Sequence, residues 1–128
     1  PFLAVCLGHQ ALCHHLGIPL TFKDIVFQGT QSSVEIDGRV ERVGFYNPFV
    51  GRVGPGGPGS GTGTGPGGSG TGSTTTLPAG VSVEADPESG DVHLVRGPRF
   101  RGIQFHAESI LTERGYDLIH DLVRELLA

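Results

Sequence analysis

The sequence predicts an α/β protein: an open, mostly parallel sheet flanked by helices, with a small antiparallel excursion in the middle of the chain. Three observations carry that expectation. Residues 2–5 are a continuous apolar run that leads directly into a helical pattern, as a strand buried on both faces would. Residues 102–105 are a second short strand signal, followed by an amphipathic helical stretch toward the end of the chain. Between these lie two pairs of alternating segments, one folded around Asp37-Gly38 and one around Asp86-Pro87-Glu88-Ser89-Gly90. Strand–helix at each end with paired strands between them is the layout of a sheet with helices packed on it.

The elements follow in order. Residues 8–16 have a helical pattern, closed by Gly17 as a C-cap, and Pro19 forbids continuation. Residues 21–27 are expected to form a strand with Lys23 and Asp24 outward. Residues 33–36 and 39–45 are two strands of a hairpin. Residues 54–76 contain only Gly, Pro, Ser and Thr, so they cannot bury apolar surface and are expected to be a flexible, solvated insertion. That segment lacks a Lys-Ser/Thr ending and opens no helix, which excludes a phosphate-binding loop. Residues 80–85 and 91–96 are the second pair of alternating strands. Thr112 is placed to cap the last helix, whose apolar stripe is read as Tyr116, Ile119, Leu122, Val123, Leu126 and Leu127.

Composition narrows the function. The 128 residues suit one domain, and 9 Lys+Arg against 13 Asp+Glu give a net charge of -4. With no basic run, nucleic acid is not an expected partner. No apolar stretch approaches the ~18 residues of a membrane span, and the apolar start has neither the length nor the basic flank of a signal peptide. Cys6 and Cys13 are read as reduced thiols of a cytoplasmic protein. Methionine is absent and the chain begins within an apolar run, so a further portion of the domain is expected upstream of Pro1.

The chemistry is concentrated in two stretches. In Ala4-Val5-Cys6-Leu7-Gly8, a cysteine follows a strand and precedes a helix, with small residues two before and two after it. That is the pattern of a nucleophile elbow, whose turn is too tight for large side chains. The helix start directs backbone amides and the positive dipole end at the sulfur, favouring thiolate, and the Leu7 amide is free to donate to an oxyanion. In Gln104-Phe105-His106-Ala107-Glu108-Ser109, a histidine at a strand end has a carboxylate two residues on. Separately, each stretch is compatible with a structural cysteine or a solvated loop histidine. Together they supply the parts of a Cys-His-Glu triad, with Cys6 as nucleophile, His106 as base and Glu108 as orienting carboxylate. His9 and Cys13 share a helix face, but no second ligand cluster accompanies them, so no metal site is expected. Tyr46 and Asn47 precede Pro48 in a loop after a strand, where ligand contacts are common.

Cys6-Leu7-Gly8-His9-Gln10 and Gln104-Phe105-His106-Ala107-Glu108-Ser109 together resemble the class I, triad-type glutamine amidotransferases. The resemblance runs through nearly all of the chain outside the glycine-rich segment. It implies a flavodoxin-like amidotransferase fold, of which residues 1–128 are the C-terminal part of one domain and 54–76 an insertion. It also implies hydrolysis of the glutamine side-chain amide to glutamate and ammonia, with Cys6 forming a γ-glutamyl thioester, Gln10 touching glutamine and the Leu7 amide serving the oxyanion hole. Two segments depart from the usual family pattern. Phe27-Gln28-Gly29-Thr30-Gln31 stands where a His-Gly is usual, and Phe45-Tyr46-Asn47-Pro48 stands for a Tyr-His-Ser that contacts glutamine.

These departures, with Glu41-Arg42-Val43-Gly44-Phe45-Tyr46-Asn47, are similar to the glutaminase part of phenazine-type anthranilate/aminodeoxyisochorismate synthases. That branch implies that the partner, and recipient of the ammonia, is a chorismate-binding synthase domain or subunit. No cofactor is implied in this domain, and Mg is expected only in the chorismate-binding partner. Two alternatives stand beside this reading. A γ-glutamyl peptide hydrolase of the same fold would need no synthase partner, and a truncated, non-catalytic interaction domain would keep the motifs without turnover.

Overall fold

The structure is a computed structural model that describes residues 1–23, 29–54 and 77–128. The expected strand at 21–27 and the expected flexible insertion at 54–76 fall largely outside the described residues. The chain order is β1 (Phe2–Val5), α1 (Leu7–His15), β2 (Leu20–Phe22), β3 (Thr30–Ile36), β4 (Arg39–Phe45), β5 (Phe49–Gly51), β6 (Ser82–Ala85), β7 (Val92–Gly97), β8 (Phe100–Ile103) and α2 (Gly115–Leu127).

The fold is α/β, and its main sheet has the order β1-β8-β7-β6. β1 and β8 run parallel, with Phe2 opposite Phe100 and Val5 opposite Ile103, while β7 is antiparallel to both β6 and β8. The expectation of a mostly parallel sheet is therefore corrected to a mixed one. The physical reason is connection length: tight turns join β6 to β7 and β7 to β8, and a tight turn can only return the chain antiparallel. Among the described residues β1 lies at the edge of this sheet, with Phe2 exposed and the next three residues half-buried, where the sequence suggests a strand buried on both faces. β3–β4 and β2–β5 form two further antiparallel pairs.

Local chemistry sets the turns. Asp37 and Gly38 both have positive φ, 54° and 79°, which is the type I′ geometry that suits a two-residue hairpin. At the end of α1, Gly17 has φ +86°, the Gly17 amide donates to the His14 carbonyl and the Ile18 amide donates to that of Cys13. Those two bonds are a complete Schellman cap. In the β6–β7 turn, the Asp86 carboxylate accepts the amides of Glu88 and Ser89, and Gly90 takes a φ of +79°.

Two apolar clusters cover the sheet. Leu94, Ile103, Phe105, Ile36, Val43, Phe45, Leu118 and Leu122 form one, joining the β3–β4 hairpin and α2 to the sheet. Leu12, Cys13, Ile18, Val53, Val92 and Val95 form the other, beneath α1. Leu94 and Val95 are neighbours on β7 and enter different clusters, as alternation along a strand requires. The buried stripe of α2 shares Ile119 and Leu122 with the expected one and differs from it in the rest. Leu118 and Leu122 are buried with Ile119 packed beside them, whereas Tyr116 and Leu127 are 82% and 72% exposed. Both stripes obey helical periodicity; only the docking of α2 on the sheet selects between them. Lys23 likewise turns inward instead of outward, with Nζ donating to Asp91 at 2.9 Å.

Candidate active site

β1 delivers Cys6 to the head of α1 in a conformation that few residues adopt. Its φ is +52° and its ψ is -104°, in the strained region that a nucleophile elbow occupies. A Cβ placed on Gly8 would lie 3.5 Å from the Ala4 Cβ, an ordinary contact. Small residues at both positions let the turn close, although an alanine would fit at Gly8, so the turn is less exclusive than the sequence pattern implies. The Cys6 amide donates to the Ile103 carbonyl at 2.8 Å, continuing the β1–β8 ladder by one residue. That bond places the thiol beside the segment that follows β8.

Burial pushes the Cys6 thiol above its ordinary range, and the Glu108 charge adds to this. The Leu7 amide and the Gln104 side chain, both hydrogen-bonded to Cys6, oppose it. The expectation that the helix start would favour thiolate is thus outweighed at rest: the Leu7 amide acts as expected, but desolvation is larger. Cys13, on the same helix, is fully buried, and its thiol is pushed up to about 12 by that burial. Its sulfur lies 3.5 Å from His9 Nε2, and both residues belong to the packed interior. Among the described residues no group of three or more His, Cys, Asp or Glu side chains is arranged to hold a metal.

His106 stands just beyond β8. Its Nδ1–H donates to Glu108 Oε2 at 2.7 Å, which leaves Nε2 as the working nitrogen of the ring. Burial would raise the Glu108 carboxyl, yet hydrogen bonds from its own backbone amide and from His106 hold it below its usual range. The ring is set further by Tyr46, edge-on at a centroid distance of 5.4 Å, whose hydroxyl pairs with Ser109 Oγ at 2.8 Å. Tyr46, His106, Glu108, Ser109 and Ile110 line an open cavity of about 350 Å³.

The loop carrying His106 is fixed by three bonds, two of them to Gly44 on β4 and one within the loop. The His106 amide donates to the Gly44 carbonyl at 3.0 Å, the Gly44 amide donates to Thr112 Oγ1 at 2.9 Å, and Thr112 Oγ1 donates to the His106 carbonyl at 2.6 Å. Gly44 must lack a side chain, because a Cβ there would meet the Leu111 Cβ at 2.7 Å. Thr112 is therefore a loop clamp and not the helix cap expected from sequence. α2 starts later, with Arg114 at its N-cap.

The structure brings Cys6, Leu7, Gln10, His106 and Glu108 to one end of the β1–β8 pair, with Tyr46 against His106. Asn47 is not brought there. It is buried, its Nδ2 donates to the Phe49 carbonyl, and it lines a separate small cavity with Asp91 and His93. Gln10 is nearly buried, and its Nε2 donates to the Phe49 carbonyl at 2.9 Å and to Gln104 Oε1 at 3.3 Å. Gln104 is fully buried and its Nε2 lies 3.7 Å from the Cys6 sulfur. Sequence reasoning passed over Gln104 as part of a strand. The signal that could have found it is a polar residue inside an otherwise apolar run, which needs a buried partner.

No family model matches the chain. It is 44% identical over 127 residues to the phenazine-specific anthranilate synthase of Pseudomonas chlororaphis, covering 99% of this chain and 18% of that protein. It is 34% identical over 121 residues to aminodeoxychorismate synthase component 2 of Klebsiella aerogenes, covering 93% of this chain and 58% of the relative. Among solved structures, a Thermoplasma acidophilum protein described as a GMP synthase subunit has a TM-score of 0.65 at 15% identity, over 99% of this chain and 57% of that one. That likeness is one of fold. The chain thus spans less than two thirds of the length of each of these proteins.

Proposed function

We propose that this chain, whose relatives over nearly its whole length are anthranilate and aminodeoxychorismate synthases, is a glutaminase that hydrolyses glutamine to glutamate and ammonia. The observation that carries this reading is the joint placement of a strained cysteine elbow and a carboxylate-held histidine at the same end of two parallel-paired strands.

The chemistry follows from those groups. His106 Nε2 takes the Cys6 proton, and the sulfur attacks the γ-carboxamide carbon of glutamine. The carbonyl oxygen becomes an oxyanion that the Leu7 amide stabilises. His106 returns the proton to the departing nitrogen, ammonia leaves, and a γ-glutamyl thioester remains on Cys6. Water, deprotonated by His106, then displaces the thiolate and gives glutamate. Glu108 holds the imidazole in the tautomer with Nε2 free and stabilises its charged form. Burial pushes the Cys6 thiol up, which favours proton transfer to His106 together with attack over a standing thiolate. Tyr46, which lines the open cavity, is proposed to contact the substrate; Gln10, expected from sequence to touch glutamine, is instead buried, with its NH2 held by the Phe49 carbonyl and Gln104.

The names of the relatives support a finer reading, in which the ammonia aminates chorismate in a synthase domain or subunit. As part of the same proposal, Mg would be held only in that chorismate-binding partner and the protein would work in the cytoplasm. Among the described residues, no helix is long and apolar enough to cross a membrane.

The test is direct. The full chain is assayed for ammonia release from glutamine and from a γ-glutamyl peptide, and is treated with a glutamine-like electrophile. Ammonia release from glutamine, its loss in Cys6→Ser and covalent labelling at Cys6 are expected. Turnover of the γ-glutamyl peptide alone would favour the peptide hydrolase, and no turnover or labelling of an intact protein would favour a non-catalytic interaction domain.

A further inference from the structure

The Cys6 sulfur has a side-chain partner that the triad does not use. Gln104 follows β8 directly, is fully buried, and reaches Sγ with Nε2 at 3.7 Å, within the range of a hydrogen bond to sulfur. An amide can be turned either way round, so what matters is whether its NH2 or its oxygen faces the sulfur.

A chain of partners settles that orientation. The Phe49 carbonyl can only accept, and Gln10 approaches it at 2.9 Å, so Gln10 must present its NH2 there. The same NH2 has a second hydrogen and lies 3.3 Å from the Gln104 amide. Two NH2 groups cannot satisfy each other, so Gln104 turns its oxygen to Gln10 and its NH2 to Cys6. The direction of every bond follows from one backbone carbonyl: Phe49 C=O accepts from Gln10, Gln104 C=O accepts from Gln10, and the sulfur accepts from Gln104. A thiol accepts weakly and a thiolate strongly, so this arrangement favours the charged form.

We propose that Gln104 is a catalytic residue whose side-chain amide donates to the Cys6 sulfur and stabilises the thiolate, and that Gln10 is the positioning residue that holds that amide the right way round. The proposal rests on Cys6 being the acyl acceptor. When Cys6 ionises, its S–H bond breaks and the proton goes to His106, while the Gln104 N–H remains intact and only strengthens its bond to the sulfur. The donor opposes two influences, burial and the charge of Glu108 on the loop after β8, and acts alongside the Leu7 amide, while Glu108 is itself paired with His106. Because Gln10 is anchored on Phe49, in the strand that follows the Tyr46 loop, movement of that loop would be felt at the sulfur through two amides.

The test reads the thiol without glutamine. The rate of Cys6 alkylation by iodoacetamide is followed against pH in the full chain, with the modified peptide identified by mass. Gln104→Met keeps the shape and removes the donor, and should raise the midpoint by about half to one pH unit, slowing alkylation at neutral pH roughly three- to tenfold. Gln10→Met leaves Gln104 in place but frees it to turn, and should raise the midpoint by a smaller amount. Cys13 is the fold control, since its buried sulfur stays unmodified only while the interior is intact. A midpoint in folded Gln104→Met equal to that of the parent overturns the donor role. Should that variant not fold, Gln10→Met decides: an unchanged midpoint there overturns the oriented chain. Absence of glutamine hydrolysis with these shifts intact would instead count against the glutaminase reading.

Discussion

Thr112→Val removes one hydroxyl and almost no volume, and it cuts the clamp between the His106 loop and β4. The side chain is 6% exposed, and Oγ1 makes bonds of 2.9 Å from the Gly44 amide and 2.6 Å to the His106 carbonyl. After substitution, the buried Gly44 amide loses that partner. The His106 carbonyl keeps one, because it still accepts the Ser109 amide at 3.1 Å. One stranded donor costs about 1–3 kcal/mol and one weakened acceptor less, so the expected loss is about 2–3 kcal/mol. In urea this appears as a midpoint lowered by roughly 1 M. The same change should loosen His106, and under the proposed glutaminase reading a displacement approaching 1 Å should lower glutamine hydrolysis by about tenfold to a hundredfold. Thr112→Ser keeps the hydroxyl and should restore most of both. An unchanged urea midpoint and unchanged hydrolysis in the valine variant would refute the clamp, as would a serine variant no better than valine.

Three further outcomes are expected. Glu108→Gln keeps a hydrogen-bond acceptor for His106 but loses the charge; because the carboxylate is largely exposed and screened, hydrolysis should fall about ten- to a hundredfold, less than for a buried triad carboxylate, and full activity would exclude the orienting role. His9 is buried and burial lowers its imidazole to about 4, so between pH 6.5 and 4 the unfolded chain binds a proton that the native chain refuses. Stability is therefore lost as pH falls through that window, by up to about 3 kcal/mol, with buried His93 acting in the same direction; a urea midpoint flat from pH 7 to 4 would contradict this. Leu118→Ala should cost about 2–5 kcal/mol in chemical unfolding and Tyr116→Ala less than about 0.5, and the reverse order would mean that α2 docks by the stripe read from sequence.

Much of the architecture is written in short-range chemistry. Asp37-Gly38 can take the two positive φ values of a type I′ turn, so the β3–β4 hairpin follows from two residues and the alternation around them. Gly17 closes α1 for the same kind of reason. The elbow depends on small residues two positions either side of Cys6, and the His106–Glu108 pair spans two residues. These features were legible because the atoms that decide them lie within one or two turns of chain.

What the sequence left open depends on groups far apart along the chain. Lys23 was expected outward, but Asp91, 68 residues away, draws it in. Thr112 has the composition of a helix cap, but the Gly44 amide, also 68 residues distant, claims its hydroxyl. Asn47 sits beside Tyr46 in sequence and faces a different cavity in space. Gln104 reaches Cys6 across 98 positions and Gln10 across 94. By itself, the sequence determined an α/β chain with a cysteine elbow and a carboxylate-held histidine, because turn and helix-start geometry are properties of a few neighbouring residues. The tertiary structure alone decided which face of α2 is buried, what clamps the His106 loop and which amide faces the sulfur. Each of those is a choice among local arrangements of similar energy, and burial of polar groups that must find distant partners makes it.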